Sequence, residues 1–277
     1  MHTTKETMTA PNVVLNTGSK MPQIGFGVWQ IKGRNECVGA VGEALKAGYR
    51  HVDTAQIYGN EVYVGEAVNE SGLERKELFI TTKISVHNFM RVRKSFVQSL
   101  ERLDMQYVDL LLLHFPVPGL RVKAWKHLED IYQEGGAKAI GVSNYTVRHL
   151  KQLMISCRVK PAVNQVELHV FLQQPELVAF CEENGIVVQA YSPLAHAKGI
   201  DDKVLAEIAA KLNKTPAQIM LRWCIEAGTV PLPKSATPKR IHENMEIFDF
   251  ELDIEDIQKI QQLDSNMRTC WDPTRSP

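Results

Sequence analysis

A repeated alternation constrains this chain more than any other feature. Short apolar runs of strand length are each followed by a segment whose apolar residues recur at helical spacing. The runs end near Phe26, Asp53, Lys83, His114, Val142, Glu167, Tyr191 and Leu232. The first seven ends fall at the spacing of one strand–helix unit. The last interval is longer, and two helical patterns fill it, over residues 204–212 and 216–227. Eight strands alternating with helices predict an α/β protein, a closed parallel (β/α)8 or TIM barrel. A chain of 277 residues, 44% hydrophobic, suffices for one such barrel over residues 1–277 as a single domain.

Features outside the alternation extend this frame. Residues 13–15 and 21–24 read as an N-terminal β-hairpin over the polar turn 16–19. Residues 1–11 are polar and read as a loose N-terminal arm. Gly25-Phe26-Gly27 lacks the third glycine of a dinucleotide-binding fingerprint, and no helix pattern begins at Gln30, so that motif is rejected. The first helix, with Val38, Val41 and Leu45 on one face, stops at Gly48. Later strands are expected over 139–142, 162–168 and 187–191, and helices over 61–69, over 122–134 and from Pro175. A last helix over 254–263 precedes a tail, 264–277.

Lys+Arg and Asp+Glu are equal at 32 each, so no nucleic-acid or membrane partner is expected on electrostatic grounds. No apolar run reaches the length of a membrane span. The five cysteines are scattered without a C-x-x-C pair, which points to reduced thiols and a cytoplasmic setting. A monomer is expected. No metal is expected, because His, Asp and Glu are not grouped at ligand spacing; His127, His149 and His196 read as surface or loop residues.

Several apolar runs end on ionisable residues. Asp53, Lys83 and His114 close three of them, and Tyr58 lies on the loop after the first. In a parallel barrel these four side chains converge at the carboxyl ends of the strands, where such folds carry their chemistry. A phenol beside an ammonium, a carboxylate and an imidazole is a proton donor in the making. Tyr58 is expected to be the general acid. Lys83 would lower its pKa from about 10, Asp53 would hold Lys83 charged, and His114 would orient a carbonyl oxygen or share in the proton transfer.

The segments DTAQIYGNE (53–61), TTK (81–83) and LLLLHFP (110–116) resemble the catalytic segments of the aldo-keto reductases. GVSN (141–144), NQVELH (164–169), YSPL (191–194) and PKSATPKRIHEN (233–244) resemble that family's cofactor segments, in the same order along nearly the whole chain. The resemblance implies an NADPH-dependent reductase acting on an aldehyde, ketone or keto-sugar. It implies that Ser143, Asn144 and Gln165 hold the nicotinamide carboxamide and that Tyr191 stacks on the ring. Ser192 and Leu194 would flank the pyrophosphate, Lys234, Ser235 and Arg240 the adenosine 2′-phosphate, and Glu243 and Asn244 the adenine.

The chain departs from the family where the substrate should lie. Ile84-Ser85 follows TTK where relatives often have Leu-Trp, and Phe115-Pro116 follows His114 where they often have Trp-Pro. A pocket lined by Trp29, Ser85 and Phe115 is therefore expected to be wide, with Trp271 of the tail as its cap and C-terminal substrate loop. Two rival readings are a non-catalytic NADPH-binding sensor or regulatory subunit of the same fold, and another barrel enzyme such as an isomerase or metal-dependent hydrolase.

Overall fold

A computed structural model describes residues 10–277. Residues 1–9 of the expected N-terminal arm lie outside the described residues. Strands β1 (Asn12–Val14) and β2 (Lys20–Pro22) form the antiparallel hairpin. Eight parallel strands follow: β3 (Phe26–Gly27), β4 (His51–Asp53), β5 (Phe79–Ile84), β6 (Val108–Leu113), β7 (Ala137–Ser143), β8 (Val163–Glu167), β9 (Val187–Tyr191) and β10 (Val230–Leu232). Each pairs with the next in chain order. Gly25 N and Gly27 N donate to Pro231 O and Pro233 O at 3.0 and 2.9 Å, which joins the first strand to the last. A Cβ at Gly25 would stand 2.5 Å from the Leu232 side chain and 2.6 Å from His51 Nδ1, so this closure needs glycine.

The helices are α1 (Arg34–Lys46), α2 (Glu61–Glu70), α3 (Val92–Leu103), α4 (Arg121–Gln133), α5 (Val147–Met154), α6 (Pro175–Glu183), α7 (Lys203–Leu212), α8 (Pro216–Glu226), α9 (Pro238–Met245) and α10 (Ile254–Gln261). Local chemistry sets several ends. Gly48, at φ 103°, takes the left-handed turn after α1, and Tyr49 N then reaches back to Ala44 O at 3.0 Å. Thr215 and Gln218 form a reciprocal capping box at α8, with Pro216 in the first turn. Asp202 caps α7 by accepting from Val204 N at 2.8 Å.

Period-two alternation divides the strands between two cores. Leu110 and Leu112 of β6 point into the barrel with Phe79, Val163, Val230 and the hairpin residues Leu15 and Met21. Leu111 and Leu113 point outward to the helices. The inward column of β5 runs Phe79, Thr81, Lys83, and that of β4 runs His51, Asp53. The columns meet in layers: His51 Nε2 lies 3.0 Å from Thr81 Oγ1, and one layer nearer the carboxyl ends Lys83 reaches Asp53. The alternation that builds the barrel thus also lifts the charged pair to its mouth.

Candidate active site

Lys83 Nζ donates to Asp53 Oδ1 at 2.6 Å, Thr54 O at 2.9 Å and Tyr58 Oη at 3.2 Å. An ammonium has three donors and no acceptor. All three are used here, so the phenol oxygen accepts and its own hydrogen is free for another acceptor. Asp53 Oδ2 accepts from Gln165 Nε2 at 2.8 Å, so both carboxylate oxygens are held. Tyr58 ends a single 3-10 turn, Gln56–Tyr58, which Gly59 leaves in the left-handed conformation at φ 70°. The His114 ring meets the Tyr58 ring edge-on, centroids 5.7 Å apart. The structure therefore gathers the four residues nominated from strand ends into one cluster.

Electrostatics assigns their protonation. Burial pulls the Lys83 ammonium down, and the Asp53 charge opposes it. Burial, and then the charge of Asp53, push the Tyr58 phenol well above its ordinary value. The expectation of a lowered phenol pKa is thus corrected: desolvation of the phenolate prevails, and the Asp53 charge acts in the same direction. Tyr58 is thus held protonated at neutral pH. Burial, assisted by the Lys83 charge, depresses His114 to about 3, and His51 below it likewise to about 3.

These two imidazoles make acid stability predictable. Their folded-state values lie below the unfolded value of about 6.5, so the unfolded chain binds the protons that the folded chain refuses. Their contribution is whole above about pH 6.5 and falls as pH drops from there toward about 3. Each pH unit costs about 1.4 kcal/mol for each imidazole. Calorimetric melting temperatures should therefore fall between about pH 6 and 5, where few carboxylates titrate. A flat profile over that interval would show that neither ring is held neutral.

The cluster opens into a cleft of about 1210 Å³ that crosses the ends of β7 to β10 and reaches α9. Among the nominated residues, Asp53, Tyr58 and His114 line it, with Ser143, Asn144, Gln165, Tyr191, Ser192, Leu194, Lys234, Ser235, Arg240, Glu243, Asn244, Trp29 and Trp271. Lys83 lies beneath Tyr58, 1% exposed. Asn144, at φ 66°, turns its side chain into a polar ledge: its Nδ2 donates to His114 O and Ser143 Oγ, each at 3.1 Å, and its Oδ1 accepts from Tyr191 Oη at 2.8 Å. At the far end, Ser235 Oγ accepts from Thr237 N at 3.0 Å and shapes the turn into α9. Lys234, Lys239 and Arg240 are exposed there, and no carboxylate of the described residues pairs with them.

Two substrate residues are placed differently from expectation. Ser85 is off the cleft wall. Its N–H donates to Gln56 Oε1 at 2.9 Å and its Oγ accepts from His87 N at 3.4 Å, closing the turn Val86–Asn88. Phe115 stands behind Trp271, edge-on at 6.4 Å between centroids, rather than on the cleft wall. One histidine departs from its surface reading: His149 is buried and closes a capping box with Thr146. His196 is exposed on the loop Ala195–Ala197, as read, and lines the cleft 5.6 Å from Trp29, ring to ring.

Thr269 and Cys270 line the cleft as well, and no periodic signal in the sequence marks them. The tail is docked, with Ser265 N and Met267 N donating to Phe171 O at 3.2 and 3.0 Å. Among the described residues no group of three or more His, Cys, Asp or Glu is arranged to hold a metal ion, and no helix is long and apolar enough to cross a membrane.

Comparison with known proteins adds a second line of observation. The model of the Aldo/keto reductase family matches residues 23–265. The chain is 43% identical over 271 residues to methylglyoxal reductase DkgA of Escherichia coli (strain K12), covering 96% of this chain and 98% of that protein. It is 44% identical over 263 residues to glyoxal reductase of Bacillus subtilis (strain 168), covering 94% and 95%. The structure of a Bombyx mori aldo-keto reductase in complex with NADP is similar at a TM-score of 0.89 and 34% identity, covering 94% of this chain and 95% of that one.

Proposed function

The chain belongs to the aldo/keto reductase family, and we propose that it reduces a small aldehyde or ketone with NADPH, Tyr58 delivering the proton. The observation that carries this reading is the exhausted donor set of Lys83, which leaves the Tyr58 hydrogen free for another acceptor, with the His114 ring edge-on beside the phenol.

The cleft suits the cofactor chemically. Exposed cations without carboxylate partners, at the start of a helix, match a phosphate monoester. At the other end the donors of Ser143, Asn144 and Gln165 are spent within the protein, which leaves their side-chain oxygens as acceptors for a carboxamide NH2, and Tyr191 offers an aromatic face. NADPH, when bound, supplies the hydride that ends on the carbonyl carbon. The protein's own part is to hold that carbon near the ledge, to receive the carbonyl oxygen between Tyr58 Oη and the neutral His114 ring, and to pass the Tyr58 proton to it. Lys83 then faces the phenolate with an ammonium already oriented by Asp53. The methylglyoxal and glyoxal activities named for its relatives support a small oxo-aldehyde as the substrate class.

The reading is tested by following NADPH oxidation against a panel of aldehydes, ketones, quinones and keto-sugars. Turnover of a small dicarbonyl is expected. Tight NADPH binding with no oxidation by any carbonyl would favour a non-catalytic sensor instead. Cofactor choice is a separate expectation. One charge-assisted contact to the 2′-phosphate is worth roughly 1.5–3 kcal/mol, so NADPH should bind at least ~10-fold more tightly than NADH. Arg240→Ala should weaken NADPH and leave NADH nearly unchanged in fluorescence titrations, with the difference shrinking as salt rises. Equal affinity for both cofactors in the unaltered protein would overturn the assignment of Lys234, Ser235 and Arg240.

A further inference from the structure

We propose that Glu167 is a positioning residue: it latches the C-terminal segment across the mouth of the cleft and so sets the fit of the carbonyl substrate, an inference that rests on the reductase reading above. Glu167 ends β8, two residues beyond Gln165 on the same inward column. It is 1% exposed, yet no lysine or arginine of the described residues pairs with it. Its partners come from the tail. Oε1 accepts from Thr269 N and Thr269 Oγ1, each at 2.6 Å, and Oε2 accepts from Cys270 N at 3.2 Å. His169 Nε2, also buried, lies 3.4 Å from Oε1. Burial alone would raise the carboxyl pKa; the bonds from His169 and Thr269 outweigh it and hold the group below its ordinary value.

The anchor is therefore an anion in an apolar setting whose donors are mostly amides and a hydroxyl of one short segment. Lifting that segment takes three donors from the carboxylate and leaves His169 beside it, a larger loss than that of a neutral surface contact. The position of the anchor matters. The next residues, Cys270 and Trp271, line the cleft. Cys270 Sγ lies 3.4 Å from His196 Nε2 and 3.6 Å from Ser192 Oγ, and Trp271 is 61% exposed at the rim against Phe115. Farther on, Ser276 Oγ donates to Pro116 O at 2.7 Å. The rim segment thus hangs between two attachments, and Glu167 fixes the register of the one beside the cleft. None of its bonds reaches Tyr58, Lys83 or Asp53; those toward the cleft rim run through Thr269 and Cys270.

The experiment compares Glu167→Gln, Thr269→Val, Trp271→Ala and the double variant Glu167→Gln/Trp271→Ala with the unaltered protein. Thr269→Val removes one hydroxyl bond on a partly exposed segment and tests the latch should Glu167→Gln fold poorly. The readouts are amide hydrogen exchange of the tail, NADPH affinity, and kcat and KM for methylglyoxal and for a bulky aryl aldehyde. Loss of a charge-assisted bond should speed tail exchange about tenfold and raise KM for the aryl aldehyde by a similar factor, with kcat and NADPH affinity held within about twofold. On the Trp271→Ala background, Glu167→Gln should add less than about twofold to KM, because its effect passes through the rim. Unchanged exchange in both Glu167→Gln and Thr269→Val would overturn the latch whether or not the protein reduces any carbonyl. A full, additive KM effect in the double variant would overturn its action through Trp271. Absence of all carbonyl turnover in the unaltered protein would refute the reductase reading, and with it the role in substrate fit, while exchange still decided the latch.

Discussion

Tyr58→Phe is expected to lower kcat for an unactivated aldehyde by roughly 10²–10⁴, the usual worth of a positioned general acid, while NADPH affinity stays within about twofold. The substitution removes one oxygen and leaves the ring, so the turn Gln56–Tyr58 and the edge contact with His114 are kept. Lys83 loses one acceptor of three and retains Asp53 and Thr54. What disappears is the only hydroxyl that both contacts the buried ammonium and borders the cleft among the described residues. The pKa directions add a second expectation. With the phenol protonated and His114 neutral, kcat in the unaltered protein should show no histidine-like inflection between about pH 6 and 8. Stopped-flow and steady-state rates across that range test both statements. Near-normal turnover in the phenylalanine variant would remove Tyr58 from the acid role.

The parts of the molecule that could be read from sequence are those whose signal is local. Barrel strands are apolar runs with a period of two, and an ionisable residue that breaks such a run at its carboxyl end is placed by the same pattern that places the strand. Asp53, Lys83 and His114 were legible for this reason. The start of β7 was not, because Ala137 and Lys138 follow two glycines and Lys138 is charged and exposed; its ammonium lies over the Tyr107 ring at 4.1 Å, a partner far away in the chain. Helix α9 carries only a weak apolar period, since its buried residues are few: Ile241, Asn244 and Met245.

Other features depend on contacts that no window of sequence contains. Ser85 sits at a strand end like Asp53, Lys83 and His114, but a hydrogen bond from its backbone to Gln56 turns the segment away from the cleft. Thr269 and Cys270 reach the site because Glu167 binds their amides, a contact between β8 and the last residues of the chain. The direction of the Tyr58 shift also escaped the sequence. A nearby lysine argues for a lowered value, whereas the sum of burial and the Asp53 charge decides for a raised one.

Lys83→Met should cost both rate and stability, and the two losses can be separated. Lys83 and Asp53 form a buried pair at 2.6 Å, their side chains 1% and 5% exposed. Removing one partner of such a pair typically destabilises by about 3–5 kcal/mol, because the remaining charge stays buried without compensation. In a protein of this size that corresponds to a fall of roughly 10 °C in melting temperature. Asp53 keeps only the bond from Gln165, and taking up a proton would limit the penalty. Tyr58 meanwhile loses the cation that would face its phenolate, so kcat should fall by at least ~10². Adding Asp53→Asn removes the orphaned charge. The double variant Asp53→Asn/Lys83→Met should therefore recover most of the melting temperature and none of the rate. Calorimetry and NADPH-oxidation assays on the three proteins check this. A Lys83→Met protein that melted and turned over as the unaltered one does would show that the ammonium neither supports the phenol nor balances the carboxylate. Recovery of rate in the double variant would show that Lys83 serves only to neutralise Asp53.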